Sequence, residues 1–195
     1  MGIYTTEITS SELPSDNPLH QRLLKPYIEV ISEVKGDLLE IGCGEGRGVE
    51  LLSPVSASYT AIDKIGTAIN QLSMQYPGHT FIQGNIPPIS QFSDASFDTI
   101  VSFQVIEHIK DDKAFISEIA RLLRKGGKAF ITTPNIVMTL TRNPWHIREY
   151  TAIQLKELAQ NYFAQVELKG ISGNEKVMDY YMENKASVAK IMKWD

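Results

Sequence analysis

From Leu38 onward, short apolar runs alternate with amphipathic stretches, and most changes of period fall at a glycine, a proline or an acid. Leu38–Ile41 predicts a short buried strand, followed by a glycine turn and a helix from about Gly46 to Leu52. Ser58–Ile62 predicts a second strand. A helix over Thr67–Gln75 follows and stops at Pro77-Gly78. Thr80–Gln83 predicts a third strand. Phe97–Phe103 predicts a fourth, apolar almost throughout, as a strand covered on both faces should be. Asp111 and Asp112 can cap the next helix, whose Phe115, Ile119, Leu122 and Leu123 form one buried face. Gly126-Gly127 predicts its end, with Arg124 and Lys125 in the last turn, where the helix dipole favours cations. Lys128–Thr133 predicts a fifth strand, and Gln165–Ile171 a sixth. Between them, Thr151 and Gln154 form a capping box opening a helix to about Asn161.

Strands alternating with helices predict an α/β, doubly wound, mostly parallel sheet with right-handed crossovers. Residues 36–171 would form this core within a single domain spanning 1–195. Before it, residues 19–34 place Leu23, Leu24, Tyr27, Ile31 and Val34 at helical spacing, with Pro26 at one end or at a kink. Residues 1–18 are rich in Ser, Thr and Pro and read as loosely structured. Within 172–195, Val177, Tyr181, Val188, Ile191 and Met192 lie on or near one face of a predicted helix.

Composition narrows the function classes. The 195 residues carry 19 basic and 23 acidic side chains, a net charge of −4. The densest basic group is Arg121, Arg124, Lys125 and Lys128, far short of the basic stripe of a dedicated nucleic-acid binder. No nucleic-acid partner is expected. The single cysteine, Cys43, allows no intramolecular disulfide, which suits a reducing compartment. The polar N-terminal stretch lacks a signal-peptide pattern, and no apolar run approaches the about 20 residues of a membrane span. A cytoplasmic location is expected.

The candidate chemistry starts at Leu38-Leu39-Glu40-Ile41-Gly42-Cys43-Gly44-Glu45-Gly46-Arg47-Gly48. A buried strand runs straight into closely spaced glycines, needed where the chain turns sharply or a ligand approaches the main chain. The carboxyl end of a first strand is where open α/β sheets bind ligands. A dinucleotide fingerprint would place its third glycine at position 47, which is Arg47. Glu40 and Glu45 also suit a cationic ligand better than a pyrophosphate. An NAD(P)-dependent oxidoreductase is therefore disfavoured. Asp63 ends the second strand roughly 20 residues after the glycines, where an acid can accept both hydroxyls of a ribose. Its alternative role is to cap the next helix. In Gly84-Asn85-Ile86, the amide of Asn85 can read an adenine edge and Ile86 can cover the ring; the alternative for Asn85 is an ordinary turn residue.

With these pieces in order, the sequence resembles the class I S-adenosylmethionine-dependent methyltransferases, most closely the small-molecule branch that includes ubiquinone and menaquinone biosynthesis enzymes. The resemblance covers about residues 36–171. It rests on Glu40–Gly46, on Phe97-Asp98-Thr99-Ile100-Val101 followed by Glu107-His108, and on Leu122–Gly127 followed by Ala129–Thr133. It implies S-adenosylmethionine as cofactor. Gly42, Cys43 and Gly44 would pack on its methionine part through main chain, with Glu40 nearby. Asp63 would hold the ribose, Ile65 would flank the adenine, and Asn85 and Ile86 would contact it. Gln104 would lie near the methionine end. Two departures stand out: the family more often has Asp at position 85, and its sheet has a seventh, antiparallel strand that finds no clean counterpart after Ile171.

The implied reaction is in-line displacement at the methyl carbon, aided by a base where the acceptor must lose a proton. The candidates for binding or deprotonating a small-molecule acceptor are His108, beside Glu107, and His146, Arg148 and Tyr150 in Asn143–Tyr150. The alternatives are a structural hydrogen bond for His108 and an ordered loop with Arg148 paired to a local acid. By analogy with relatives, the first 35 residues would close over the pocket and bring Tyr4, His20 and Tyr27 to the acceptor. The Asn-Pro pairing at 143–144 and the Asn85–Pro88 run echo a DNA amino-methyltransferase motif, but that motif belongs directly after the fourth strand, where Gln104–Glu107 stands. No His, Cys and carboxylate group shows metal-ligand spacing, so no metal is expected. The leading expectation is a small-molecule methyltransferase. The alternatives are a non-catalytic S-adenosylmethionine-binding protein and a methyltransferase acting on protein or RNA.

Overall fold

The computed structural model describes residues 17–140 and 143–191, with side chains from 20 to 188. Five strands build one sheet: β1 (Asp37–Ile41), β2 (Ser58–Asp63), β3 (Thr80–Gln83), β4 (Phe97–Phe103) and β5 (Leu123–Thr132). The spatial order is β3-β2-β1-β4-β5, and every pairing is parallel. The chain therefore winds outward from β1 to β3, then returns to the other side of β1 with β4. That reversal opens a crevice between the carboxyl ends of β1 and β4, where open α/β sheets take ligands.

Alternation along β1 explains the two cores. Leu38 packs with Tyr27, Val30, Leu52, Tyr59, Leu72 and Val101 on one face. Leu39 and Ile41 pack with Ile62, Ile100, Phe115, Ile119, Leu122 and Tyr150 on the other. Helices α1 (Asn17–Val30), α2 (Val49–Leu52) and α3 (Gly66–Gln75) supply the first layer, and α4 (Asp112–Leu122) and α5 (Ala152–Gln160) the second. Pro26 lies inside α1. The expected caps form: Asp111 accepts from the Ala114 amide at 2.9 Å, and Thr151 with Gln154 makes a reciprocal capping box. A last helix, α6 (Glu175–Ile191), matches the apolar spacing after residue 172. No helix among the described residues is long and apolar enough to cross a membrane. Tyr4 and Met192 lie outside the described residues.

Three sequence expectations change. The helix expected from Gly46 is regular only from Val49, because Gly46 takes a φ of 84° that no right-handed helix accepts. Helix α4 ends at Leu122 rather than at Gly126-Gly127; these glycines lie inside β5, opposite a register shift at Phe97/Thr99. Arg124 is consequently a strand residue, and its guanidinium bridges Asp37 at 2.8 Å and Asp98 at 2.5 Å across the start of the sheet. Finally, the sixth strand expected over Gln165–Ile171 does not form. Its residues are exposed apart from half-buried Val166, and no sheet edge pairs with them. Period-two alternation gives a segment strand character, but a ladder also needs a partner edge and a face to bury.

Candidate active site

The glycine loop follows β1 directly. Gly42 donates to the Ile62 carbonyl at 2.8 Å, which turns the loop over the end of β2. Its φ is +80°, and a Cβ there would stand 2.3 Å from Val105 Cγ2, just beyond β4. Only glycine lets the two strand ends approach this closely. Gly44 also has positive φ, +53°, but its missing Cβ would point into open space. The crest of the loop thus offers bare main chain to a ligand.

Asp63 is the hinge of the site. Its Oδ2 accepts from the Gly44 amide at 2.8 Å and its Oδ1 from the Ile65 amide at 2.9 Å. Its carbonyl accepts from Gly84 at 2.9 Å, which brings the Gly84-Asn85-Ile86 turn alongside. Asp63 is 7% exposed. Asn85 is exposed; Ile65 and Ile86 are half-buried. On the other wall, Gln104 adopts a left-handed φ of 59°, held by its amide on the Thr132 carbonyl at 3.0 Å and by its side chain on Thr132 Oγ1 at 3.1 Å. Apart from Glu40, the cofactor residues expected from sequence thus lie at or just after the carboxyl ends of β1, β2, β3 and β4.

Glu40 sits differently from the rest. It shares a face of β1 with Leu38, so its carboxyl points under the loop, 1% exposed. Tyr27 donates to it at 2.7 Å, and Tyr59 donates to its other oxygen. Burial pushes the Glu40 carboxyl up to about 7, against the opposing pull of the two tyrosine hydrogen bonds, and Asp63 adds to the rise. The same burial raises both tyrosine hydroxyls and the Cys43 thiol. Tyr27 is therefore committed to supporting Glu40, not to an acceptor.

Beyond β4, a turn carries Glu107 and His108. The segment 143–150 packs on it: the amides of Ile147 and Arg148 both donate to the Glu107 carbonyl, at 2.8 and 3.2 Å. His108 Nδ1 lies 2.9 Å from the Trp145 carbonyl, and the rings of His108 and His146 meet edge to face at 5.0 Å. Glu107, His108 and His146 each bring a donor atom within 4.8 Å of the others. Sequence spacing gave no sign of this grouping, because His146 arrives from a loop far along the chain.

Tyr150 and Arg148 belong to the framework of this segment. Tyr150 is 1% exposed and donates to Asp112 Oδ2 at 2.9 Å. Arg148 reaches the same oxygen at 2.8 Å and lies over the Tyr150 ring, 4.8 Å from its centre. Burial and the Asp112 carboxylate raise the Tyr150 hydroxyl well above its ordinary value. His20 Nδ1 and Thr133 Oγ1 are buried polar atoms with no hydrogen-bond partner among the described residues. Helix α6 reaches this end of the molecule as well: Lys185 donates to the Val137 carbonyl, and the charges of Arg22 and Glu149 both act on Tyr181, whose hydroxyl burial raises.

The crevice fits S-adenosylmethionine on its own chemistry. Each Asp63 oxygen keeps a further lone pair for a ribose hydroxyl. The bare crest at Gly44 admits close approach, and the acids around the loop favour a ligand carrying a sulfonium and an ammonium. Fold and site together define an α/β protein with a nucleotide-type crevice at the carboxyl ends of β1 and β4. The comparisons with known proteins agree. A family profile described as a methyltransferase domain matches residues 39–131. The "Probable S-adenosylmethionine-dependent methyltransferase" of Mycolicibacterium smegmatis is 36% identical over 84% of this chain and 65% of its own length. A "Ubiquinone biosynthesis O-methyltransferase" of Albidiferax ferrireducens is 27% identical over 88% of this chain and 78% of its own length. Among solved structures, a protein of Pyrococcus horikoshii superposes with a TM-score of 0.69 at 18% identity, covering 85% of this chain and 90% of that one. The chain spans 65% of the length of the Mycolicibacterium relative and 60% of a Mycobacterium tuberculosis relative of the same description. Residues 39–131 thus match a methyltransferase domain, and the chain is similar to proteins described as S-adenosylmethionine-dependent methyltransferases.

Proposed function

We propose that the protein transfers a methyl group from S-adenosylmethionine to a small-molecule acceptor held between the end of β4 and segment 143–150. The observation that carries this reading is the position of the His108 and His146 imidazoles. They stand on the β4 side of the crevice, where Val105 abuts Gly42 of the cofactor loop. When bound, the cofactor supplies an activated methyl group on a sulfonium. The chain's own residues do the rest. Gly42, Cys43 and Gly44 present main chain to the methionine part, and Gln104 lines its far end. Asp63 accepts the ribose hydroxyls; Ile65, Asn85 and Ile86 border the adenine. Glu40 supports the loop from beneath through Tyr27 and Tyr59. His108 and His146 face the acceptor, and Tyr150 anchors their loop through Asp112.

A small acceptor suits the surroundings. The net charge of −4 offers no track for a nucleic acid. The relatives named for ubiquinone biosynthesis support the same class. A single buried cysteine suits a cytoplasmic setting.

The test supplies methyl-labelled S-adenosylmethionine and the protein to a cell extract separated into small molecules, protein and RNA. Label in the small-molecule fraction, dependent on the added protein, is the expected result. Label confined to protein or RNA overturns the small-molecule assignment.

A further inference from the structure

Glu149 has no part in the proposed transfer so far, yet it is a carboxylate with a side chain only 9% exposed. An acid at that depth is costly unless its oxygens are hydrogen-bonded. Here they are divided: Oε1 lies 2.6 Å from His146 Nδ1, and Oε2 accepts from the Thr139 hydroxyl. The His146 side chain is equally enclosed, at 10%.

The far side of the same ring fixes its proton. His146 Nε2 lies 3.1 Å from Asn143 Nδ2. Asn143 cannot present its oxygen there, because its Oδ1 already accepts from the Trp145 amide at 3.0 Å. Its NH₂ group therefore donates to Nε2. A ring whose Nε2 accepts carries its proton on Nδ1, and that N–H points at Glu149. Both neighbours demand the same neutral tautomer.

We propose that Glu149 is a positioning residue that locks His146 in the Nδ1–H tautomer, so that Nε2 receives the proton of a hydroxyl acceptor. This rests on the proposed function, in which His146 faces the acceptor. Asn143 shows what Nε2 takes in the resting protein: a hydrogen-bond donor. A hydroxyl replaces the amide in kind, whereas a carbonyl or ether offers no proton to it. A hydroxyl is also the acceptor that most needs a base, since phenols titrate near 10 and thiols nearer neutrality. As the acceptor oxygen bonds to the methyl carbon, the carbon–sulfur bond breaks with its electron pair left on sulfur, and the hydroxyl proton moves to His146 Nε2. The carboxylate of Glu149 stabilises the imidazolium that forms, without itself taking the proton.

The experiment is ¹⁵N NMR of the full chain with labelled histidine, in chelator, with S-adenosylhomocysteine bound; His146→Gln assigns the signal by its loss. Expected for His146 is a protonated Nδ1 and a bare Nε2. In an Asn143→Ala background, which removes the donor at Nε2, E149A should lose this tautomer to a mixture or a reversal, and E149D should restore it. A protonated Nε2 in the native protein, or an unchanged tautomer when E149A is added to Asn143→Ala, overturns the positioning role. Millimolar phenol should shift the bare Nε2 signal while anisole does not; no shift with phenol overturns the hydroxyl assignment. Calorimetry with S-adenosylhomocysteine on the same samples separates these failures from a failure of the cofactor site.

Discussion

Glu40 allows a quantitative test of how the loop is supported. Its carboxyl is raised from 4.5 to about 7, chiefly by desolvation. In the unfolded chain it returns to the ordinary value. The folded protein therefore binds the proton more tightly, and Glu40 favours folding most below pH 4.5. That contribution declines as pH rises and is gone above about 7. Each tenfold gain in proton affinity on folding is worth about 1.4 kcal/mol, so the whole span is on the order of 3 kcal/mol. Glu40→Gln keeps the shape and one acceptor for the tyrosines but cannot titrate. Urea unfolding of both proteins from pH 5 to 8, with the two curves subtracted, cancels every other titrating group. The native protein should lose stability relative to the variant across this window, by about 2–3 kcal/mol. A difference that stays flat to within about 0.5 kcal/mol would show that the Glu40 carboxyl is not held in a desolvated pocket, and the reasoning would fail.

Other outcomes follow from the same geometry. Gly42→Ala puts a Cβ against Val105 at a left-handed φ; it should cost about 2–3 kcal/mol of stability in denaturant unfolding and weaken cofactor binding with it. Tyr150→Phe removes the hydroxyl from Asp112 but leaves Arg148 in place. It should cost about 1–2 kcal/mol by thermal unfolding while methyl transfer persists, whereas a catalytic phenol would lose turnover outright. Phe115→Ala empties a fully buried site between α4 and the sheet and should cost about 3–5 kcal/mol in the same assay.

What the sequence made legible depended on local chemistry. The loop at Gly42–Gly46, the strand-end Asp63, the Asp111 cap and the Thr151–Gln154 box are each written in a few adjacent residues, and their physical demands are local. The Phe97–Phe103 strand was legible because burial on both faces leaves a continuous apolar run. The misreadings lie where a partner far along the chain decides. Gly126-Gly127 reads as a helix stop, but the edge of β4 claims Leu123 and Arg124 for a strand first. Val166 and Leu168 alternate like a strand, but their segment pairs with neither edge of the five-stranded sheet and stays largely exposed. The partners of Glu40 were likewise out of reach, because Tyr27 and Tyr59 come to it from other elements. Glu149 and Asn143 escaped notice because their role exists only around His146; the three-residue spacing of His146 and Glu149 was the one available sign.

The central claim is that the crevice formed by the glycine loop and Asp63 binds S-adenosylmethionine. Calorimetric titration of the purified chain with S-adenosylhomocysteine, beside NADH and the Asp63→Ala variant, tests it most directly. The account predicts saturable binding of the homocysteine compound, no binding of NADH, and an affinity loss of about tenfold or more in the variant. Equal binding by Asp63→Ala, or binding of NADH in place of the homocysteine compound, would contradict it.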